Sequence, residues 1–127
     1  MVQELDNFLT QKECDTLIKL IKRANTPSLL AGGKDKLTTS SSARTSTTCN
    51  LPPDNLVVMS VLKKIAMTIG CSTDRIENLQ GQLYKVGQEF KDHYDFFSKN
   101  DYEQHCLASG NRTDTLMIYL NEDLEGG

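Results

Sequence analysis

Between Asp6 and Ala24 the apolar positions recur at helical spacing. Cys14, Leu17, Ile18 and Ile21 share one side, while Lys19, Lys22 and Arg23 take the other side and the C-terminal end, where cations complement the helix dipole. Thr10 followed three residues on by Glu13 is a capping-box start. After Pro52-Pro53 a second helix is expected, with Asp54 as its N-cap. Val57, Val58, Val61, Leu62, Ile65 and Ile69 give it a wide apolar face, and Gly70 is placed to end it. The period then changes to two. From Asn78 to Val86, Gln80, Gln82 and Tyr84 fall on one face and Leu79 and Leu83 on the other, as for a strand between an apolar layer and a polar cavity; Gly87 breaks it. Thr115 to Asn121 reads as another strand, with Leu116, Ile118 and Leu120 alternating with Thr115, Met117 and Tyr119, so that Tyr119 is free to face the same cavity as Tyr84. Pro27 to Thr48 is a Ser-, Thr-, Gly- and Lys-rich loop with a short strand around Ala43 to Thr47. Phe96 to Asn111 is a polar loop with turn signals at both ends, placed over the mouth of a pocket.

Length and charge narrow the field. A chain of 127 residues holds one domain with one core, and a net charge of −3 supplies no basic excess for a nucleic-acid surface. No apolar run approaches the roughly 20 residues that span a bilayer. The segment Met1-Val2-Gln3-Glu4 lacks the features of a secretory signal, so the expected location is cytoplasmic, with no membrane partner. Cys14, Cys49, Cys71 and Cys106 are scattered without a C-x-x-C pair, which argues for free thiols over a zinc knuckle or disulfide scaffold.

The segment that carries chemistry is Glu77 to Phe97. His93 and Asp95 stand two apart, and on a strand such positions project from one face, so an imidazole nitrogen and a carboxylate oxygen can converge on one metal ion. The pairing suits Fe(II), with a second histidine from elsewhere completing a facial triad that leaves positions open for substrate and oxygen. H-x-D also occurs often by chance. Here a polar strand face, a turn and the His-Asp pair lie within one hairpin's reach, which raises its weight. His105, in the following loop, is expected to be solvated in preference to acting as a ligand.

At these residues a family resemblance enters. The pattern E-N-L-Q, then Tyr84, Gly87-Gln88, His93-Tyr94-Asp95, Thr115 to Asn121 and Gly126-Gly127 resembles the prolyl 4-hydroxylase group of Fe(II)- and 2-oxoglutarate-dependent dioxygenases. The resemblance implies an α+β fold: a double-stranded β-helix, or jelly-roll, with N-terminal helices packed on the sheet. Residues 1–127 would form the N-terminal and central part of one dioxygenase domain, incomplete at its C-terminal side. It implies hydroxylation of prolyl residues in a peptide or protein, using Fe(II), 2-oxoglutarate and O2, and extends the cofactors to ascorbate. His93 and Asp95 become iron ligands, and Tyr84 and Tyr119 contacts of 2-oxoglutarate, against the plainer reading of two buried structural tyrosines.

Arg44 and Ser46, in an R-T-S segment similar to the family's, become substrate-groove residues or an ordinary strand end. Glu77 and Arg112 join the groove, though Glu77 reads equally as a surface carboxylate and Arg112 as the ion-pair partner of a carboxylate such as Asp114. In the family a distal histidine and then a basic residue follow the Gly-Gly segment. This sequence ends at Gly127 without them, so weak iron binding and little turnover are expected of these residues alone. Phe90 stands where the family commonly has tyrosine, which leaves substrate choice open. The rival readings are the same fold acting on another residue or a small molecule, and a noncatalytic peptide-binding module.

Overall fold

The computed structural model describes residues 2–24 and 45–122. The expectations for Arg44 and for Gly126-Gly127 lie outside them. The described residues form helix α1 (Gln11–Ala24), strand β1 (Thr47–Asn50), helix α2 (Leu56–Ile69), a single 3-10 turn (Thr73–Arg75), strand β2 (Gln80–Leu83) and a one-turn helix α3 (Tyr102–His105). The two strands pair antiparallel, with Thr47 opposite Leu83 and Asn50 opposite Gln80.

Helix α1 starts as its capping box requires. Glu13 Oε2 accepts from the Thr10 amide at 2.8 Å, and the Thr10 hydroxyl accepts from the Glu13 amide at 3.3 Å. The same carboxylate oxygen accepts from Lys64 Nζ of α2 at 2.7 Å, so one glutamate both caps α1 and ties it to its neighbour. The Lys64 hydrogen bond, followed by that of the Thr10 amide, holds the Glu13 carboxyl below its ordinary range.

Helix α2 corrects one expectation. Its N-cap is Asn55, whose Oδ1 accepts from the amides of Val57 and Val58 at 2.9 and 3.3 Å, while Asp54 lies one residue outside. Gly70 ends the helix in the left-handed region at φ 77°, where a Cβ is disfavoured, and its amide bonds the Ala66 carbonyl.

Leu17 and Ile21 of α1, Cys49 of β1, Leu51, and Val58, Val61 and Ile65 of α2 form the core. Leu79 and Leu83 pack against it, on the strand face expected for them. Gly81, between them, sets how closely α1 approaches the sheet. A methyl group there would collide with Ile21 Cγ1 and Cδ1 and come within 3.1 Å of Cys49 Sγ.

Three further expectations are corrected. The strand foreseen over Asn78 to Val86 is shortened to four residues. Thr115 to Asn121 keeps the expected alternation, with Leu116, Ile118 and Leu120 against the core and Met117 and Tyr119 exposed, yet no ladder pairing involves it among the described residues. The loop from Phe96 to Asn111 contains α3, whose C-cap Cys106 is buried. All four cysteines are free thiols, as expected. Among the described residues no helix is long and apolar enough to cross a membrane. Helices and a two-stranded antiparallel sheet are compatible with part of the α+β fold foreseen.

Replacing Gly81 by alanine is expected to cost about 1–3 kcal/mol through overpacking against Ile21, read as a lowered urea midpoint. An unchanged midpoint would show that α1 does not rest on this contact.

Candidate metal centre

A turn brings the His-Asp segment to the sheet. In the β1–β2 register Lys85 would face Thr45, but Lys85 to Gln88 is looped out. The Gln88 amide bonds the Lys85 carbonyl at 2.9 Å, with Gly87 at φ 80°, the third position of a type II turn, which requires positive φ. Pairing then resumes with Glu89. Its carbonyl accepts from the Thr45 amide at 2.9 Å, and its amide donates to the Thr45 hydroxyl at 2.8 Å. Phe90 follows, and its ring stacks on the His93 imidazole with centroids 3.6 Å apart.

The strand expected to carry the pair is not formed: residues 91–98 have neither helix nor strand. His93 and Asp95 converge nonetheless. His93 Nδ1 lies 2.8 Å from the Lys91 carbonyl oxygen. A carbonyl can only accept, so Nδ1 carries the proton, and in a neutral ring Nε2 presents its lone pair. That lone pair faces Asp95 Oδ1 at 3.2 Å. On a neutral ring two acceptors face each other and a metal cation between them would satisfy both; on a protonated ring Nε2–H donates to Asp95 Oδ1 and the two form an ion pair.

The separation fits a metal. Two donors at right angles around an ion, each at about 2.1 Å, stand about 3 Å apart. Imidazole and carboxylate are also the donor types that divalent iron takes. Both side chains are accessible, at 40% and 43% exposure, in a cleft of about 240 Å³ also walled by Tyr94, Phe96 and Arg112 to Thr115.

Asp95 is held from two sides. Thr115 Oγ1 donates to its Oδ2 at 2.7 Å, and Arg112 Nη1 donates to its backbone carbonyl at 2.9 Å. Arg112 is in turn fixed by Glu77, with Nε and Nη2 on the two carboxylate oxygens at 2.6 and 2.7 Å, and its guanidinium lies 4.6 Å from the Phe97 ring centroid. Asn111 completes the brace by bonding both the amide and the carbonyl of Phe97 through its side chain, at 2.9 Å each. Arg112 thus pairs with a carboxylate, one of the two roles expected of it, but the carboxylate is that of Glu77 and not Asp114, and Glu77 is an exposed carboxylate as one of its two readings had it. The hydrogen bonds from Arg112 pull the Glu77 carboxyl below its ordinary range, and those to Glu77 raise the Arg112 guanidinium.

The remaining candidates are not gathered here. Tyr84 donates to Gln82 Oε1 at 3.1 Å, Tyr119 is 70% exposed, and neither lines the cleft of the His-Asp pair. Ser46 is 1% exposed and its hydroxyl has no hydrogen-bond partner among the described residues, so it is not offered to a bound chain. Glu77 lines a second, larger open cleft of about 690 Å³ with Asn50, Asp74 and Gln80, which contains no imidazole. His105 stacks on Phe97 at 4.7 Å, and no group of three potential metal-ligating His, Cys, Asp or Glu residues occurs among the described residues. Thr115 and Asn111, which hold the centre, were legible in the sequence only as a strand start and a turn signal.

Comparison with known proteins adds a family context. Over 122 residues the chain is 32% identical to probable prolyl 4-hydroxylase 10 of Arabidopsis thaliana, covering 95% of this chain and 41% of that protein. It is 33% identical to prolyl 4-hydroxylase 5 of the same plant, with the same coverage, and 29% identical to prolyl 4-hydroxylase 13 over 124 residues. The chain is prolyl 4-hydroxylase-like. This prolyl 4-hydroxylase-like chain spans about two fifths of the length of those relatives. No family model matches it, and no solved structure does.

The Glu77–Arg112 pair carries a pH dependence with a definite sign. A carboxyl depressed in the folded state contributes stability that is present above its unfolded pKa and is lost as pH falls through the folded value. A Glu77→Gln, Arg112→Gln double-mutant cycle in urea is expected to give a coupling towards the upper end of about 0.2–1 kcal/mol at neutral pH, because the pair is bidentate but accessible. The coupling should vanish at acid pH. Additive losses at neutral pH would contradict the pairing.

Proposed function

We propose that the chain carries the iron-gripping part of an Fe(II)- and 2-oxoglutarate-dependent dioxygenase that hydroxylates prolyl residues in a peptide or protein. In this reading its two-stranded sheet is a portion of a double-stranded β-helix. The observation that supports it most is the convergence of His93 Nε2 and Asp95 Oδ1, 3.2 Å apart, in an open cleft of a chain similar to prolyl 4-hydroxylases. Iron, when bound, supplies the redox chemistry with O2 that places oxygen on a substrate carbon.

The chain's own residues do the rest. His93 Nε2 and Asp95 Oδ1 would supply two of the iron's ligands, and the Lys91 carbonyl holds the ring's other nitrogen as a donor. Phe90 covers one ring face and limits its rotation. The exposed side of the pair leaves room for further ligands. Tyr84 and Tyr119 do not fit as 2-oxoglutarate contacts in this arrangement, since the first is engaged with Gln82 and neither borders the cleft. With Arg112 and Glu77 neutralising each other, a peptide would meet a closed ion pair in place of two free charges.

The test is mass spectrometry of proline-containing peptides incubated with the protein purified from its source, Fe(II), 2-oxoglutarate and air. The expected result is the gain of one oxygen atom on proline, abolished by His93→Ala. Oxygen gained on another residue would shift the substrate class. Peptide binding with no iron-dependent consumption of 2-oxoglutarate would replace the enzyme reading with a noncatalytic one.

A further inference from the structure

We infer that Thr115 is a positioning residue that selects which oxygen of Asp95 faces His93, and so makes the aspartate a one-oxygen ligand. The inference rests on the metal-binding part of the function proposed above. A carboxylate on a flexible segment can turn either oxygen, or both, toward a neighbouring ion. Residues 91–98 have no regular backbone hydrogen bonding to prevent this. Here the Thr115 hydroxyl occupies Oδ2 at 2.7 Å, which leaves Oδ1 beside His93 Nε2 at 3.2 Å.

A hydroxyl donor suits that task. It neutralises no charge, so the carboxylate keeps its full attraction for a cation, and it directs one lone pair away from the metal side. Arg112 fixes the other end of the residue through the Asp95 backbone carbonyl at 2.9 Å. Two bonds, from positions 17 and 20 residues downstream, therefore set both the location and the rotation of one ligand. Thr115 is itself exposed and lies outside the core, so its role is not that of packing.

The experiment is a titration of the chain with Mn(II) alone, following free Mn(II) by electron paramagnetic resonance, for wild type, Thr115→Val, Thr115→Ser and His93→Ala. Thr115→Val keeps the side-chain shape and removes the donor. It is expected to weaken Mn(II) binding about tenfold or more at an unchanged melting temperature, whereas Thr115→Ser retains the affinity within about twofold. Wild-type affinity in Thr115→Val, with binding lost in His93→Ala, would overturn the role of Thr115 and leave the metal reading standing. Equal weakening by valine and serine would also overturn it, since the methyl would then be what matters. Wild type binding no better than His93→Ala would overturn the metal reading and this inference together.

Discussion

A neutral imidazole nitrogen and a carboxylate oxygen held face to face repel unless a proton or a metal ion lies between them, and the candidate site is organised around that constraint. The Lys91 carbonyl obliges His93 Nδ1 to donate, the lone pair of a neutral ring is thereby delivered from Nε2, and Asp95 Oδ1 meets it at 3.2 Å. A folded chain does not keep such an opposition without support. The support comes from residues distant in sequence: Thr115 on the carboxylate, Arg112 on the backbone carbonyl, Glu77 on Arg112, and Asn111 on the Phe97 backbone.

The fold contributes position more than rigidity. Glu13 joins α1 to α2, and Gly81 lets Ile21 settle on the sheet, so the sheet has a firm layer behind it. The turn at Lys85 to Gln88 then resets the register, so that Glu89 and not Lys85 lies against Thr45. The following residues, with Phe90 and His93 among them, are carried past the sheet as an irregular segment whose shape depends on side-chain bonds. The brace around Asp95 supplies what a ladder of backbone hydrogen bonds would otherwise supply.

How much of this was legible follows from the range of each interaction. The capping box of α1 and the stop at Gly70 involve residues within one turn of each other, and both were readable. The cap of α2 fell one residue from the expected place because Asp54 and Asn55 are chemically similar neighbours, and only the side chain's reach to the Val57 and Val58 amides separates them. The alternation of Leu116, Ile118 and Leu120 correctly gave the buried face, but alternation records burial and says nothing of a ladder partner. The His93–Asp95 spacing was readable too, although the convergence arises in an irregular segment and not on a strand. A carboxylate partner for Arg112 was one of two readings, with Asp114 as the example because sequence proximity was the only guide, whereas the partner it has, Glu77, lies 35 residues away. Nothing in the residue types of Asn111 or Thr115 distinguished them from an ordinary turn residue and an ordinary strand start.

The most direct measurement of the central claim is the tautomer of the His93 ring in the metal-free chain, read by long-range proton–nitrogen NMR at a pH well above the ordinary imidazole range. The account predicts the proton on Nδ1, with Nε2 showing the shift of a bare nitrogen that moves when Zn(II) is added and the Nδ1 proton retained. A proton on Nε2, shared with Asp95 and undisturbed by Zn(II), would mean that the two side chains satisfy each other as an ordinary hydrogen-bonded pair, and would contradict it.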